Sequence, residues 1–353
     1  MRDVAITLVI LATIPFILRY PWIGVLVFVW ISLFSPHRYA WGFAYDFQFV
    51  MIVALVTLVS VLLHVKEVRL PFNSITALLI LLPCWMTVTL LFAVDPVFAQ
   101  ERWREVMKAF FFIVLSASLL HTRKQMEALL WILVVSVGFY GVKGGIFTIV
   151  HGGSALVWGP PGQSYISDNN AIAVALIMVI PLMHYLRSVA SGKWVRRGLM
   201  CAMVLSAFAV LGTHSRGGFL AVLAMFMFLW LKSQNRFAFG FLIIVMGAIA
   251  VAFMPDAWMG RMESIGNYEQ DASAMTRLNV WQMAINLAND RPLVGGGFEP
   301  YTAATFARYA PNPHDIYAAH SIYFQMLGEH GYVGLALFLA LGIAGWRTAS
   351  RTI

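Results

Sequence analysis

Charge is what this chain has least of. Only 11% of its residues are Asp, Glu, Lys or Arg, 60% are hydrophobic, and the mean hydropathy is +0.78. A soluble domain carries about 25% charged residues, so the composition excludes a soluble globular enzyme and points to a polytopic membrane protein. Cysteine is scarce as well. Cys84 and Cys201 both lie inside apolar runs, which leaves no disulfide framework and no cysteine-based metal centre. His314 and His320 are six residues apart, which is not the i, i+4 spacing of a helical metal pair, and no metal is expected. There is no internal repeat and no low-complexity tract. Val4–Leu18 is apolar, but no small-x-small cleavage site follows it, so it does not read as a signal peptide. The net charge of +8 raises nucleic acid as a partner. No basic and aromatic interleaving supports it, and Lys and Arg gather naturally in the cytoplasmic loops of membrane proteins.

Eleven apolar segments are present. They are Val4–Leu18, Trp22–Phe34, Phe49–Leu63, Ser74–Val94, Val106–Leu120, Ala128–Val150, Asn170–Leu186, Gly198–Thr213, Gly217–Leu231, Phe237–Met254 and Ser321–Trp346. A membrane span needs about 20 residues, so the shorter ones must recruit their flanks. Only helices and closed barrels cross lipid, and these runs are continuous rather than alternating. The expected fold is an all-α transmembrane bundle: ten helices in residues 1–254, an outward loop over 255–320, and a last helix with a short cytoplasmic tail over 321–353. Orientation follows from Lys and Arg in the short loops. One alternate set holds Arg19, Lys66, Arg69, Arg123, Lys124, Arg187, Lys193, Arg196, Arg197, Lys232, Arg236, Arg347 and Arg351. The other holds Arg2, Arg38, Arg102, Arg104, Lys108, Lys143 and Arg216. The first, richer set is cytoplasmic, so the long loop faces outward.

That loop, Pro255 to His320, is the one long stretch too polar for a membrane. It carries Arg261, Arg277, Arg291 and Arg308, the run Gly295-Gly296-Gly297 and the turn Pro311-Asn312-Pro313-His314-Asp315. Trp258, Trp281, Phe298 and Tyr317 argue against disorder, which goes with few aromatics. Ser273–Asn289 has an amphipathic pattern with Leu278, Trp281, Ile285 and Ala288 as its apolar stripe, and Asn289-Asp290-Arg291-Pro292 stops it. Two smaller outward stretches stand out. In His151–Asp168 a Gly-Pro-Pro-Gly turn leads to Asp168, a candidate helix cap with Asn169 and Asn170 at the helix mouth. Asp95–Lys108, with Arg102, Trp103 and Arg104, reads as an interfacial amphipathic segment.

Three polar positions carry chemistry. Arg216, in Thr213-His214-Ser215-Arg216-Gly217-Gly218, sits between two spans on the outward side. It reads either as a snorkelling arginine or as an anion site, since a guanidinium offers a bidentate fork to phosphate. Arg277, beside the apolar stripe, reads as a solvated charge or as a second phosphate contact. His320, at the start of the last span, reads as an interfacial histidine or as a general base, because a free imidazole titrates near pH 6.5. Lys143 is a further outward-half charge. Its bland reading is snorkelling, and with Asn170 it completes the substrate-binding candidates.

In this order, the residues resemble the bacterial O-antigen ligase and O-antigen polymerase superfamily. Three stretches carry the resemblance: Ser215-Arg216-Gly217; Thr276-Arg277-Leu278 through Trp281 to Pro292 and Gly295-Gly296-Gly297-Phe298; and His320-Ser321 followed by Leu327-Gly328-Glu329-His330-Gly331 and Gly334. It covers residues 165 to 340, and the N-terminal half matches only as hydrophobic spans. The chain is most similar to the O-glycosylation ligases that accompany exosortase systems. Many relatives continue with a further helix after the histidine segment, whereas this chain stops at Ile353. The resemblance implies metal-independent, inverting transfer of a glycan from an undecaprenyl-diphosphate carrier to an acceptor hydroxyl of a glycan, lipid or protein, at the periplasmic face of the inner membrane. It implies diphosphate binding by Arg216 and Arg277 and activation of the acceptor by His320, with no cofactor. A polymerase joining repeat units fits the same residues. A transporter predicts paired repeats and polar residues through the bilayer centre, and a non-catalytic secretion partner predicts tolerance of change at Arg216, Arg277 and His320.

Overall fold

The computed structural model describes residues 1–162, 164–233, 235–237, 240, 241, 244, 245, 247, 248 and 272–351. Much of the expected span Phe237–Met254, together with Pro255, Trp258 and Arg261, lies outside the described residues. Within them the chain is all-helical and has no strand. The helices are α1 (Arg2–Arg19), α2 (Pro21–Phe34), α3 (Phe49–Leu63), α4 (Ser74–Leu90), α5 (Pro96–Leu119), α6 (Arg123–Val150), α7 (Asn169–Val189), α8 (Lys193–Gly212), α9 (Arg216–Lys232), α10 (Ala272–Asp290), α11 (Ala303–Tyr309) and α12 (Ile322–Arg351). Four of them, α6, α7, α8 and α12, are long and apolar enough to cross a membrane. Pro21–Phe34, Phe49–Leu63, Ser74–Leu90 and Arg216–Leu231 are shorter apolar helices. At 1.5 Å per residue a helix of 14 to 17 residues spans only about 21–26 Å, less than the roughly 30 Å of hydrocarbon.

Helix starts follow the sequence. Asn73 and Thr122 open α4 and α6 with reciprocal capping boxes. Asp168 Oδ1 accepts from the Asn170 and Ala171 amides, as its position predicts. Pro21 opens α2 only two residues after α1 ends. The expected interfacial segment at Asp95–Lys108 is not separate from the span after it: both belong to α5, which runs unbroken because no Pro or Gly follows Pro96 within it.

The chain forms two compact units. Residues 1–67 and 120–266 make the first, and residues 68–119 and 267–353 the second. In the first, α6 and α8 pack against each other through small residues. A Cβ on Gly145 would lie 2.1 Å from the Leu205 carbonyl oxygen, and one on Gly141 would lie 2.2 Å from Ser206 Oγ. Close backbone approach of this kind is how helices associate where the surroundings are as apolar as the helices themselves. Ile172, Leu176, Met183 and Leu186 of α7 fill the core beside them.

In the second unit, α4, α5, α10, α11 and α12 pack around a break in α12. Gly331 has φ 67° and ψ −170°, a region open essentially to glycine alone. The break frees backbone groups, and the glycine run satisfies them. Gly296 N–H donates to the Gly328 carbonyl at 2.8 Å, Gly297 N–H to the Glu329 carbonyl at 2.9 Å, and Tyr332 N–H to the Pro292 carbonyl at 2.8 Å. Trp85 Nε1 donates to the His330 carbonyl at 3.1 Å. Gly295 approaches so closely that a Cβ there would lie 2.5 Å from the Gly328 carbonyl oxygen. The Gly295-Gly296-Gly297 run is thus a lock for a broken helix.

Candidate active site

The arginine turn belongs to the first unit. α8 ends at Gly212, and α9 begins at Arg216 with Ser215 as its cap, Oγ accepting from Gly218 N–H at 3.0 Å. The same hydroxyl donates to Asn170 Oδ1 at 2.7 Å, and Asn169 Nδ2 donates to the Thr213 carbonyl at 3.0 Å. These bonds bring the start of α7 beside the start of α9. Arg216 and Asn170 therefore stand at two neighbouring helix N-termini, where the backbone dipoles favour an anion. His214 precedes the cap in a left-handed conformation, φ 51°. The residue is 7% exposed, and Nε2 lies 2.7 Å from the Gly153 carbonyl oxygen. Lys143 is exposed on α6, its ammonium 5.6 Å from the centre of the Tyr39 ring.

The histidine turn belongs to the second unit. His320 is exposed and also left-handed, φ 47°. Such a conformation costs a non-glycine residue about 1–3 kcal/mol and persists only where its surroundings impose it. α10 supplies the constraint. Asn286 Nδ2 donates to the Tyr309 carbonyl at 2.8 Å, Asn279 Nδ2 to the Asn312 carbonyl at 2.8 Å, and Trp281 Nε1 to the Ala319 carbonyl at 2.8 Å. Asn279 Oδ1 also accepts from Asn312 N–H at 2.8 Å. One helix thus holds the whole segment that ends at His320. Arg277, half-buried, lies one helical turn before Trp281 on the same side of α10. That places it about 6 Å along the axis from the residue that holds Ala319.

The buried stripe of α10 differs from the expected one. Val280, Met283, Ala284, Leu287 and Ala288 are buried, Leu278 is exposed, and Trp281 is half-buried. Both stripes have helical spacing. The one that wins meets Phe306 of α11 and Ala319, contacts that no local pattern encodes.

A buried polar cluster lies further along α12. Glu329 and His330, 2% and 0% exposed, stand just before the break in α12. Gln325 Nε2 donates to Glu329 Oε1 at 3.0 Å. His330 Nδ1 lies 2.7 Å from Thr89 Oγ1, and Phe298 meets the His330 ring edge-on at 4.6 Å. Nearby, Arg102 pairs with Glu105 at 2.8 Å and Glu299 at 3.5 Å. Burial opposes its charge, but the Glu105 bond and the Glu299 carboxylate outweigh that and raise the guanidinium above its ordinary value. Burial, then the charges of Glu329 and Glu299, push the Tyr301 phenol well above the usual range. The sequence reading gave Arg102 only an interfacial role and gave Glu329, His330 and Tyr301 none. A Glu-His pair inside an apolar helix is the signal that could have found part of this cluster, because buried charges are rarely tolerated unless paired.

Fold and site together define a multi-pass, all-helical membrane protein with cationic and imidazole side chains set at helix starts. Residues 1–191, more than half of the chain, match the model of a family of unknown function (DUF5935), and residues 201–339 match the O-antigen ligase model. The chain therefore belongs to that family of unknown function through its first 191 residues, and the match over residues 201–339 supports the O-antigen ligase superfamily. The latter supports membrane glycan transfer of the O-antigen ligase type, from a lipid-linked glycan. No curated protein and no solved structure shows significant similarity. The boundary between the two matched regions does not follow the structural units. The first region contains α4 and α5 of the second unit, and the second contains α9 of the first.

Proposed function

We propose that the protein is a membrane glycan ligase of the kind that accompanies exosortase systems. It moves a glycan from an undecaprenyl-diphosphate carrier to an acceptor hydroxyl at the periplasmic face of the inner membrane. One observation supports this above others: the O-antigen ligase match contains Arg216, Arg277 and the exposed, left-handed His320. In this reading the chain crosses the membrane eleven times. Residues 255–320, with α10 and α11, form the periplasmic cap, and residues 321–353 form the last span and cytoplasmic tail.

His320 takes the proton of the acceptor hydroxyl as its oxygen attacks the anomeric carbon. The bond from that carbon to the diphosphate oxygen breaks, its electron pair stays on the diphosphate, and the configuration inverts. Arg216 and Arg277 bind the diphosphate and stabilise the departing charge, which is often the largest catalytic term. Asn170 and Lys143 extend the donor site. No step uses a metal ion.

The test is purified protein with a lipid-diphosphate glycan and candidate acceptors, with EDTA present. Transfer is expected. Replacing Arg216 by Lys keeps the charge but loses the fork, and should remove much of it. Complete loss with EDTA, restored by a divalent ion, would put a metal in the reaction and sink the metal-free mechanism. Topology is checked in spheroplasts. A Ser273→Cys variant should react with an impermeant thiol reagent, and protection there alongside labelling at Gly192→Cys would reverse the orientation.

A further inference from the structure

We propose that Trp281 is a positioning residue for His320, acting through the Ala319 peptide. This rests on the reading of His320 as the base. The carbonyl of Ala319 and the nitrogen of His320 belong to one rigid peptide plane. The φ rotation of His320 starts from that plane, so whatever fixes the plane fixes the N–Cα axis about which the His320 Cα–Cβ bond turns. Trp281 Nε1 holds the carbonyl at 2.8 Å. Ala319 is 1% exposed and packed with Val280, Met283, Leu287 and Phe306, so its own side has no room to turn. On the far side of His320, the Trp281 ring stacks on Phe324 at 4.7 Å and 12°. One side chain therefore grips the chain both before and after the histidine. The ring between those grips is exposed and has a backbone conformation it would not adopt unconstrained.

A residue that merely packs would act through its ring, whereas a positioning residue acts through its N–H. Trp281→Phe keeps a ring for Phe324 and removes the donor. A second variant carries benzothienylalanine at 281, the same shape with sulfur in place of N–H. Both are expected to lower kcat about 10- to 100-fold, the scale of a misplaced catalytic group, with KM for the donor unchanged. In a His320→Ala background neither should lower the rate further, because residues that act as a unit are not additive. Equal losses in both backgrounds, or normal kcat in the benzothienylalanine protein, overturn the proposal.

A second readout needs no transfer: the rate at which diethyl pyrocarbonate acylates His320, followed by mass spectrometry of its peptide. It should change severalfold in both variants, and an unchanged rate overturns the positioning role. If His320→Ala transfers glycan normally, the base assignment fails, and the acylation rate decides the positioning alone.

Discussion

Two histidines in this protein share a backbone device and differ in everything else. His214 in the first unit and His320 in the second are both left-handed, and each stands just before a helix start, of α9 and of α12 respectively. The His214 ring is buried and tied to the Gly153 carbonyl. The His320 ring is exposed, and what is tied is the backbone before it. In the first case the side chain holds the turn together. In the second the turn is held by other residues and the side chain is left exposed. The units differ in the same sense. The first is joined by glycines that let α6 and α8 meet, while the second is laced by polar side chains that grip the backbone of a loop.

The largest effect expected breaks that comparison at the histidines. His320→Ala removes the proposed base, typically worth on the order of 10²–10⁴ in rate, and should leave donor binding and folding intact. His214→Ala should do the reverse. It strands the buried Gly153 carbonyl, which costs about 1–3 kcal/mol of stability, and lowers the thermal midpoint in detergent. Donor binding by titration and unfolding by thermal scan separate the two. Near-normal transfer in His320→Ala with donor still bound would end the general-base role.

A smaller effect is expected at the glycines. Gly331→Ala puts a Cβ 2.5 Å from the Leu293 carbonyl oxygen, at a φ of 67°, in a joint with backbone on both sides. It should cost about 3 kcal/mol. Gly145→Ala meets the Leu205 carbonyl at 2.1 Å, but its helix can shift away as a rod, so about 1–3 kcal/mol is expected. Thermal scans of both variants test this. A larger loss for Gly145→Ala would mean that the first unit, not the second, holds its geometry more tightly.

What was legible in the sequence follows the same divide. Hydropathy and Asp168 as a cap are properties of single residues or short runs, and most of the described helices overlap the apolar segments, with α5 starting ten residues earlier and α11 not expected. The buried face of α10 was misread because its partners, Phe306 and Ala319, lie 18 or more residues beyond it. Arg102 and Glu299 are 197 positions apart, and no local pattern announces such a pairing. The role of Gly295-Gly296-Gly297 was invisible for the same reason, because the break it locks lies some 34 residues further along.

The smallest effect concerns acid. The first unit also has a titratable tie on a loop: Asp3 Oδ1 accepts from Gly42 N–H at 2.9 Å and Ala44 N–H at 3.1 Å. The Ala44 bond, above all, holds the Asp3 carboxyl below its usual value of 3.8. A carboxyl depressed in the folded state contributes stability above its unfolded value and loses it as pH falls through the folded one. The counterpart in the second unit is the Asn312 amide on Asn279 Oδ1, a neutral acceptor that does not titrate. Acid should therefore loosen residues 42–44 and spare residue 312. Hydrogen exchange, corrected for intrinsic rates, is the measurement at pH 7 and near pH 3. Protection at Gly42 and Ala44 should fall, protection at Asn312 should hold, and Asp3→Asn should remove the pH dependence of the first pair. Equal losses in both places would mean that acid acts on the whole fold, and that the contrast between a titratable acceptor for the Gly42 and Ala44 amides and a neutral one for the Asn312 amide has no consequence for stability.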